Sequence, residues 1–209
     1  LMACLQSAAQ KYVDSNPVEL LKKAFWQLVD LNHQGQTSTP GSSTACLAVV
    51  DSESHNMTVC NVGDSGLLVV SETSKGDYSV TFKTNAQQTA FNAPLQLTLF
   101  PPDKSGKGGH ALDPTNQADS STVPLSRGDC VIIATDGALD NLFSDEIVSI
   151  VKEYRSGGAQ RIADGIVNAA YRASLRSDTS TPFSVEAQRA GKFHVGGKPD
   201  DITVLVGIV

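Results

Sequence analysis

The sequence has little with which to grip a nucleic acid or a membrane. Its 16 basic residues face 22 acidic ones, for a formal net charge of −6. Sequence-independent binding of DNA, RNA or anionic lipid needs clustered Lys and Arg, so no nucleic acid is expected among the partners. No apolar run approaches the roughly 18 residues of a membrane span, so no transmembrane segment is expected. Cysteine is scarce: Cys4, Cys46, Cys60 and Cys130 contain no Cys-x-x-Cys pair, and no His stands at zinc-finger spacing. Four cysteines in 209 residues also make a poor disulfide framework. They read as buried or idle thiols of a reducing, intracellular compartment. What is present is a hydrophobic fraction of 40%, enough for a real core. The acidic balance suits a chain that collects cations.

Elements can be read along the chain. Leu1-Met2-Ala3-Cys4-Leu5 reads as the middle of a helix running to about residue 13, with no initiator Met and no signal-like segment. The chain is therefore expected to be cut at its start, with any targeting segment missing. Asn16-Pro17 caps a second helix, whose Leu20, Leu21, Ala24, Phe25, Leu28 and Leu31 recur at helical spacing, with Phe25 and Trp26 as core. Thr44–Val50, Met57–Val62 and Leu67–Val70 read as three strands of a meander, and Tyr78–Thr84 as a fourth. Residues 101–121 read as a long surface loop. Cys130–Ala134 is an apolar strand, Ser144 caps a third helix, Ala159–Leu175 is a fourth, Ser177–Lys192 is mixed, and Ile202–Val209 closes the chain as a strand. With no repeat and no linker, residues 1–209 are expected to form a single domain.

Three stretches place aspartates at strand ends beside Gly or a second Asp: Asn61-Val62-Gly63-Asp64-Ser65, Ala134-Thr135-Asp136-Gly137-Ala138-Leu139-Asp140, and Gly197-Lys198-Pro199-Asp200-Asp201-Ile202. Each alone has a plainer reading. Asp64 and Asp136-Gly137 suit tight turns, and Asp140 suits a helix cap. Asp200-Asp201 is harder to explain this way, since adjacent carboxylates repel and a turn needs one. Converged at one sheet edge, these carboxylates would repel strongly unless a cation joined them. Oxygen-only ligation selects hard ions such as Mg²⁺, Mn²⁺ or Ca²⁺. Two such ions about 3.5–4 Å apart are a recurrent arrangement for hydrolysing phosphate esters.

Gly41-Ser42-Ser43-Thr44-Ala45, followed by the three aspartate stretches in this order, resembles the successive motifs of the metal-dependent type 2C protein Ser/Thr phosphatases. The likeness runs from about residue 41 to the end. Phe91-Asn92-Ala93-Pro94-Leu95-Gln96-Leu97, within Thr89–Leu99, is similar to the organellar branch of that family, found in mitochondria and plastids. The resemblance implies an α+β fold, an antiparallel β-sandwich flanked by helix pairs. It implies hydrolysis of phosphoserine and phosphothreonine in proteins by a metal-activated water, with Mn²⁺ or Mg²⁺ as cofactor, two or three ions in the complete family site. Asp136 and Asp200 match the family's ligands of the first metal. Asp64 and Asp140 match positions that hold a weaker third ion together with Asp136. Asp201 and Gly137 match positions behind the ligands, Gly63 and Ser65 would shape a turn, and Gly41–Thr44 would serve packing.

Family features expected near the start are not found. No Asp-Gly pair precedes Asp136, and Asp14, Glu19 and Asp30 lie on or near helices. No early Arg matches the family's phosphate grip. The expectation is a protein lacking its first strands, weak or inactive by itself, and more readily a piece of an active phosphatase than a non-catalytic relative acting as a binding module. A calcium module is disfavoured because the Asp spacing does not fit the twelve-residue helix–loop–helix calcium loop. A serine hydrolase is disfavoured because no Gly-x-Ser-x-Gly elbow is present. His33, His55 and His110 read as structural or solvated, while His194 could approach the aspartates. Lys198 reads as a solvated turn residue before a phosphate-drawing one.

Overall fold

A computed structural model describes residues 1–12, 16–36, 40–100 and 111–209. The helices are α1 (Met2–Lys11), α2 (Pro17–His33), α3 (Asp136–Leu139), α4 (Ser144–Tyr154), α5 (Gly158–Ser174) and α6 (Pro182–Arg189). The strands are β1 (Gly41–Ser43), β2 (Ala45–Asp51), β3 (Asn56–Val62), β4 (Gly66–Ser74), β5 (Asp77–Lys83), β6 (Gln88–Ala90), β7 (Ala93–Pro94), β8 (Leu97–Leu99), β9 (Ala111–Leu112), β10 (Asp119–Pro124), β11 (Cys130–Ala134) and β12 (Val204–Ile208). The chain divides into two compact units, Leu1–Gly63 with Pro94–Pro124, and Asp64–Ala93 with Leu125–Val209.

In the first unit β2 and β3 form a hairpin whose turn is closed by Asp51, which accepts from the Glu53 and Ser54 N–H groups. β10 pairs with β3 from the other side, in the order β10-β3-β2. A smaller sheet runs β1-β8-β9. Helices α1 and α2 pack as a pair beside them, with Leu21, Phe25 and Val29 of α2 buried against Ala45, Cys60, Val62, Leu97 and Leu99. Asn16 accepts from the Glu19 N–H at 3.0 Å and Pro17 takes the first helical position, so α2 starts where its cap signals place it. Trp26 is not core as expected. It is 45% exposed, and its indole N–H donates to Asp113 at 2.7 Å, because a ring facing solvent still keeps its one donor satisfied.

The second unit is built on the antiparallel sheet β12-β11-β4-β5. Side chains alternate along its strands, so Leu68, Val70, Cys130 and Ile132 share one face. That face receives Ile147 and Val151 of α4 and Ile162, Ile166 and Ala170 of α5, every one of them 1% exposed or less. Fully burying side chains of this size stabilises by about 1.5–3 kcal/mol each.

Several expectations change here. The three-strand meander does not form: β4 leaves β3 and joins β5 and β11 in another sheet. The cause lies at Gly63, whose φ of +101° redirects the chain and whose added Cβ would strike the Thr44 side chain. The expected loop over 101–121 contains β10 at its end; residues 101–110, including His110, lie outside the described residues. The mixed stretch 177–192 contains α6, capped by Thr181, whose hydroxyl accepts from the Ser184 N–H at 3.2 Å. Asp136-Gly137 does not form a turn but opens the short helix α3, and Asp140 ends it. Ser144 is the first helical residue of α4, one position past the cap, and Glu146 reaches back to the Phe143 N–H at 2.7 Å. All four cysteines are free thiols, three of them buried. Burial pushes the Cys46 thiol up to about 12 and those of Cys60 and Cys130 to about 11, so they are poor nucleophiles. Among the described residues no helix is long and apolar enough to cross a membrane.

Candidate metal centre

The sheet of the second unit delivers three aspartate stretches to one place. Ala134, the last residue of β11, stands opposite Gly66, which opens β4, and opposite Val204, which opens β12. Asp64 therefore precedes β4, Asp136 follows β11 and Asp200 precedes β12 at the same sheet end. Thr135 fastens the turns together. Its hydroxyl donates to the Asp201 carbonyl at 3.0 Å and accepts from the Thr203 N–H at 3.0 Å.

The carboxylates of Asp136, Asp140 and Asp200 meet on one cation, the ammonium of Lys198. Its Nζ lies 2.7 Å from Asp136 Oδ2, 2.9 Å from Asp140 Oδ2 and 3.2 Å from Asp200 Oδ2. The Lys198 side chain is only 17% exposed, so the expectation of a solvated turn residue is overturned. Burial alone would lower the ammonium's proton affinity. The hydrogen bonds to Asp136 and Asp140 outweigh it and raise that affinity above the ordinary value. Asp140 is pushed up to about 6, first by burial and then by the neighbouring Asp136 and Asp64 charges, with Lys198 pulling the other way. Burial and Asp136 also raise Asp64. At Asp200 burial is again the largest single influence and raises the carboxyl, but the Asp201 N–H and Lys198 together outweigh it and hold it below the usual range.

Asp201 enters through its main chain, with its N–H donating to Asp200 Oδ1 at 2.9 Å. A Cβ added at Gly137 would collide with the Asp201 carbonyl oxygen, so glycine there lets α3 lie against the Asp200-Asp201 turn. His194 packs edge-on against Phe183 at 4.8 Å, and its Nε2 lies 3.2 Å from the Gly197 carbonyl oxygen. The other side of the contact leads to the cluster, since the Phe183 ring centroid is 5.2 Å from Lys198 Nζ.

Two residues here escape sequence reasoning. Asn141 is 2% exposed. Its amide nitrogen donates to the Gly137 carbonyl at 2.9 Å and to the Lys198 carbonyl at 2.8 Å, while its oxygen accepts from the Lys198 N–H at 2.9 Å. Phe183 sits between Lys198 and Phe91. The signal for Phe183 was Thr181-Pro182, a cap followed by Pro at a first helical position. For Asn141 the signal was a polar side chain inside Leu139–Leu142.

Among the described residues, no group of three or more His, Cys, Asp or Glu is arranged to hold a metal ion. The carboxylates are spread around an ammonium. Their chemistry nonetheless fits a hard divalent cation, because every converging donor is an oxygen and all three already address one positive charge.

An α+β chain whose antiparallel sheets carry helix pairs, with aspartates gathered at one sheet end, has the fold of the type 2C phosphatases. The solved structure of the photosystem II phosphatase PBCP matches with a TM-score of 0.77 and 30% identity, over 100% of this chain and 77% of that one. The chain belongs to the stage II sporulation protein E (SpoIIE) family, whose model matches residues 1–207. It is 36% identical to a protein phosphatase PTC7 homolog of Danio rerio and 35% identical to that of Homo sapiens, each over 95% of this chain. It spans 64% and 63% of the length of those relatives.

Proposed function

We propose that this chain carries the catalytic aspartates of a metal-dependent protein Ser/Thr phosphatase. The observation that carries the reading is the delivery of Asp64, Asp136, Asp140 and Asp200 to one sheet end by strands in fixed register. The protein phosphatase names of the relatives support it.

In this reading Asp136 and Asp200 hold the first Mn²⁺ or Mg²⁺, and Asp64 and Asp140 with Asp136 hold a weaker ion. When bound, such ions supply Lewis-acid polarisation of the phosphate and an acidified water. The residues of this chain position that chemistry. Thr135 and the Asp201 main chain fix the turn that presents Asp200, while Asn141 ties α3 to the Lys198 turn, keeping Asp136 and Asp140 beside it. The substrates are phosphoserine and phosphothreonine proteins. The likeness of Thr89–Leu99 to the organellar branch supports a mitochondrial or plastid setting, which imaging of the tagged protein in cells would test.

The deciding experiment is hydrolysis of p-nitrophenyl phosphate and of a phosphothreonine peptide with Mn²⁺, by this chain and by Asp136→Asn. Mn²⁺-dependent turnover, weak in this chain by itself and abolished by the substitution, is expected. Turnover that survives Asp136→Asn, or that needs no divalent ion, would overturn the reading.

A further inference from the structure

A lysine at the centre of a carboxylate cluster raises the question of what it does when a metal arrives. Resting on the metal reading above, we infer that Lys198 is a tethered cation that competes with the divalent ion for the same aspartate oxygens, holding the cluster together without metal and leaving when metal binds.

Three features carry this. The ammonium already uses one oxygen from each of three carboxylates drawn from separate stretches of chain, at 2.7, 2.9 and 3.2 Å. Hard divalent ions take carboxylate oxygens at shorter range than an ammonium does, about 2.0–2.1 Å for Mg²⁺. The lone pair that an ammonium N–H occupies is not open to an ion, and the two charges repel, so ammonium and ion compete for the same oxygens. One unit of positive charge against three carboxylates also leaves the cluster underneutralised, and a divalent ion neutralises it better.

The competition is built in by the backbone. Lys198 is pinned at both its N–H and its carbonyl by the buried Asn141 amide, and Pro199 restricts its backbone further. The side chain cannot leave by loop movement and must leave by its own torsions. Phe183, 9% exposed, walls one side of the ammonium. The effective concentration of this internal cation is therefore high, and the metal affinity read in solution is lower than the aspartates alone would give.

The test is Mn²⁺ titration by calorimetry of the wild-type chain, Lys198→Met and Lys198→Gln. Each variant keeps most of the side chain's length and removes its charge. Competition predicts Mn²⁺ binding at least tenfold tighter in both variants, with a lower melting temperature before metal is added. Equal or weaker affinity in folded variants overturns the inference while leaving the metal site standing. Failure of wild type and variants alike to bind Mn²⁺ overturns both. A second measurement needs no variant. The Lys198 ammonium resonance in ¹⁵N-detected NMR should mark a held ion pair without metal and lose that signature as diamagnetic Mg²⁺ is added; an unchanged resonance at Mg²⁺ saturation counts against displacement.

Discussion

At Asp140 burial and two neighbouring carboxylates favour the proton, and the midpoint rises to about 6. The folded chain then holds this proton more tightly than the unfolded one. The associated stability is complete below the ordinary carboxylate range and is lost as pH rises through about 6. In metal-free protein, carboxyl NMR should place a midpoint near 6 that Asp140→Asn removes, and denaturant melts should show that variant gaining on wild type as pH crosses this window. Gly137 makes a different kind of demand, one of space. A methyl group there meets the Asp201 carbonyl oxygen. Gly137→Ala should cost about 1–3 kcal/mol in chemical denaturation and weaken Mn²⁺ binding, because relief requires the Asp200-Asp201 turn to move.

At the scale of elements, α3 and the 196–201 turn depend on one amide. Asn141→Ala deletes three hydrogen bonds in a buried place and strands the groups that made them. A loss of about 1–3 kcal/mol is expected from thermal unfolding of the metal-free protein. This part of the molecule was only half legible from sequence. The aspartate stretches stood out because ligand, glycine and strand lie within a few residues of each other. The strands β2, β3, β4 and β11 announced themselves through apolar runs. The pairing did not, because the redirection at Gly63 looks locally like any other turn. β10 hid because only Val123 of Asp119–Pro124 meets the buried pattern among its polar neighbours. α6 hid because eight residues give barely two turns of periodicity. Lys198 was misread because its partners Asp136 and Asp140 lie 62 and 58 residues away, and no local pattern encodes an ion pair at that range.

At the scale of the molecule, the four aspartates of the proposed site belong to one of the two units. Metal binding should therefore stabilise unevenly. At a hundredfold excess over Kd, one bound ion adds about 2.7 kcal/mol. Hydrogen exchange should show the Mn²⁺-induced protection concentrated in 64–93 and 125–209, and Asp136→Asn should erase it. Equal protection throughout residues 1–63 would argue against a site built on the β12-β11-β4-β5 sheet.

That sheet also has a direction. Every site-bearing turn leaves from the end marked by Gly66, Ala134 and Val204, whereas the β4–β5 turn at Lys75-Gly76 leaves from the opposite end. The eight residue steps from Gly66 to Ser74 separate the two ends by roughly 25 Å. The aspartates and the β4–β5 turn thus stand at opposite poles of one scaffold. A reporter peptide or fluorophore spliced at Lys75-Gly76 becomes a tag that reads the folded state while standing clear of the aspartates.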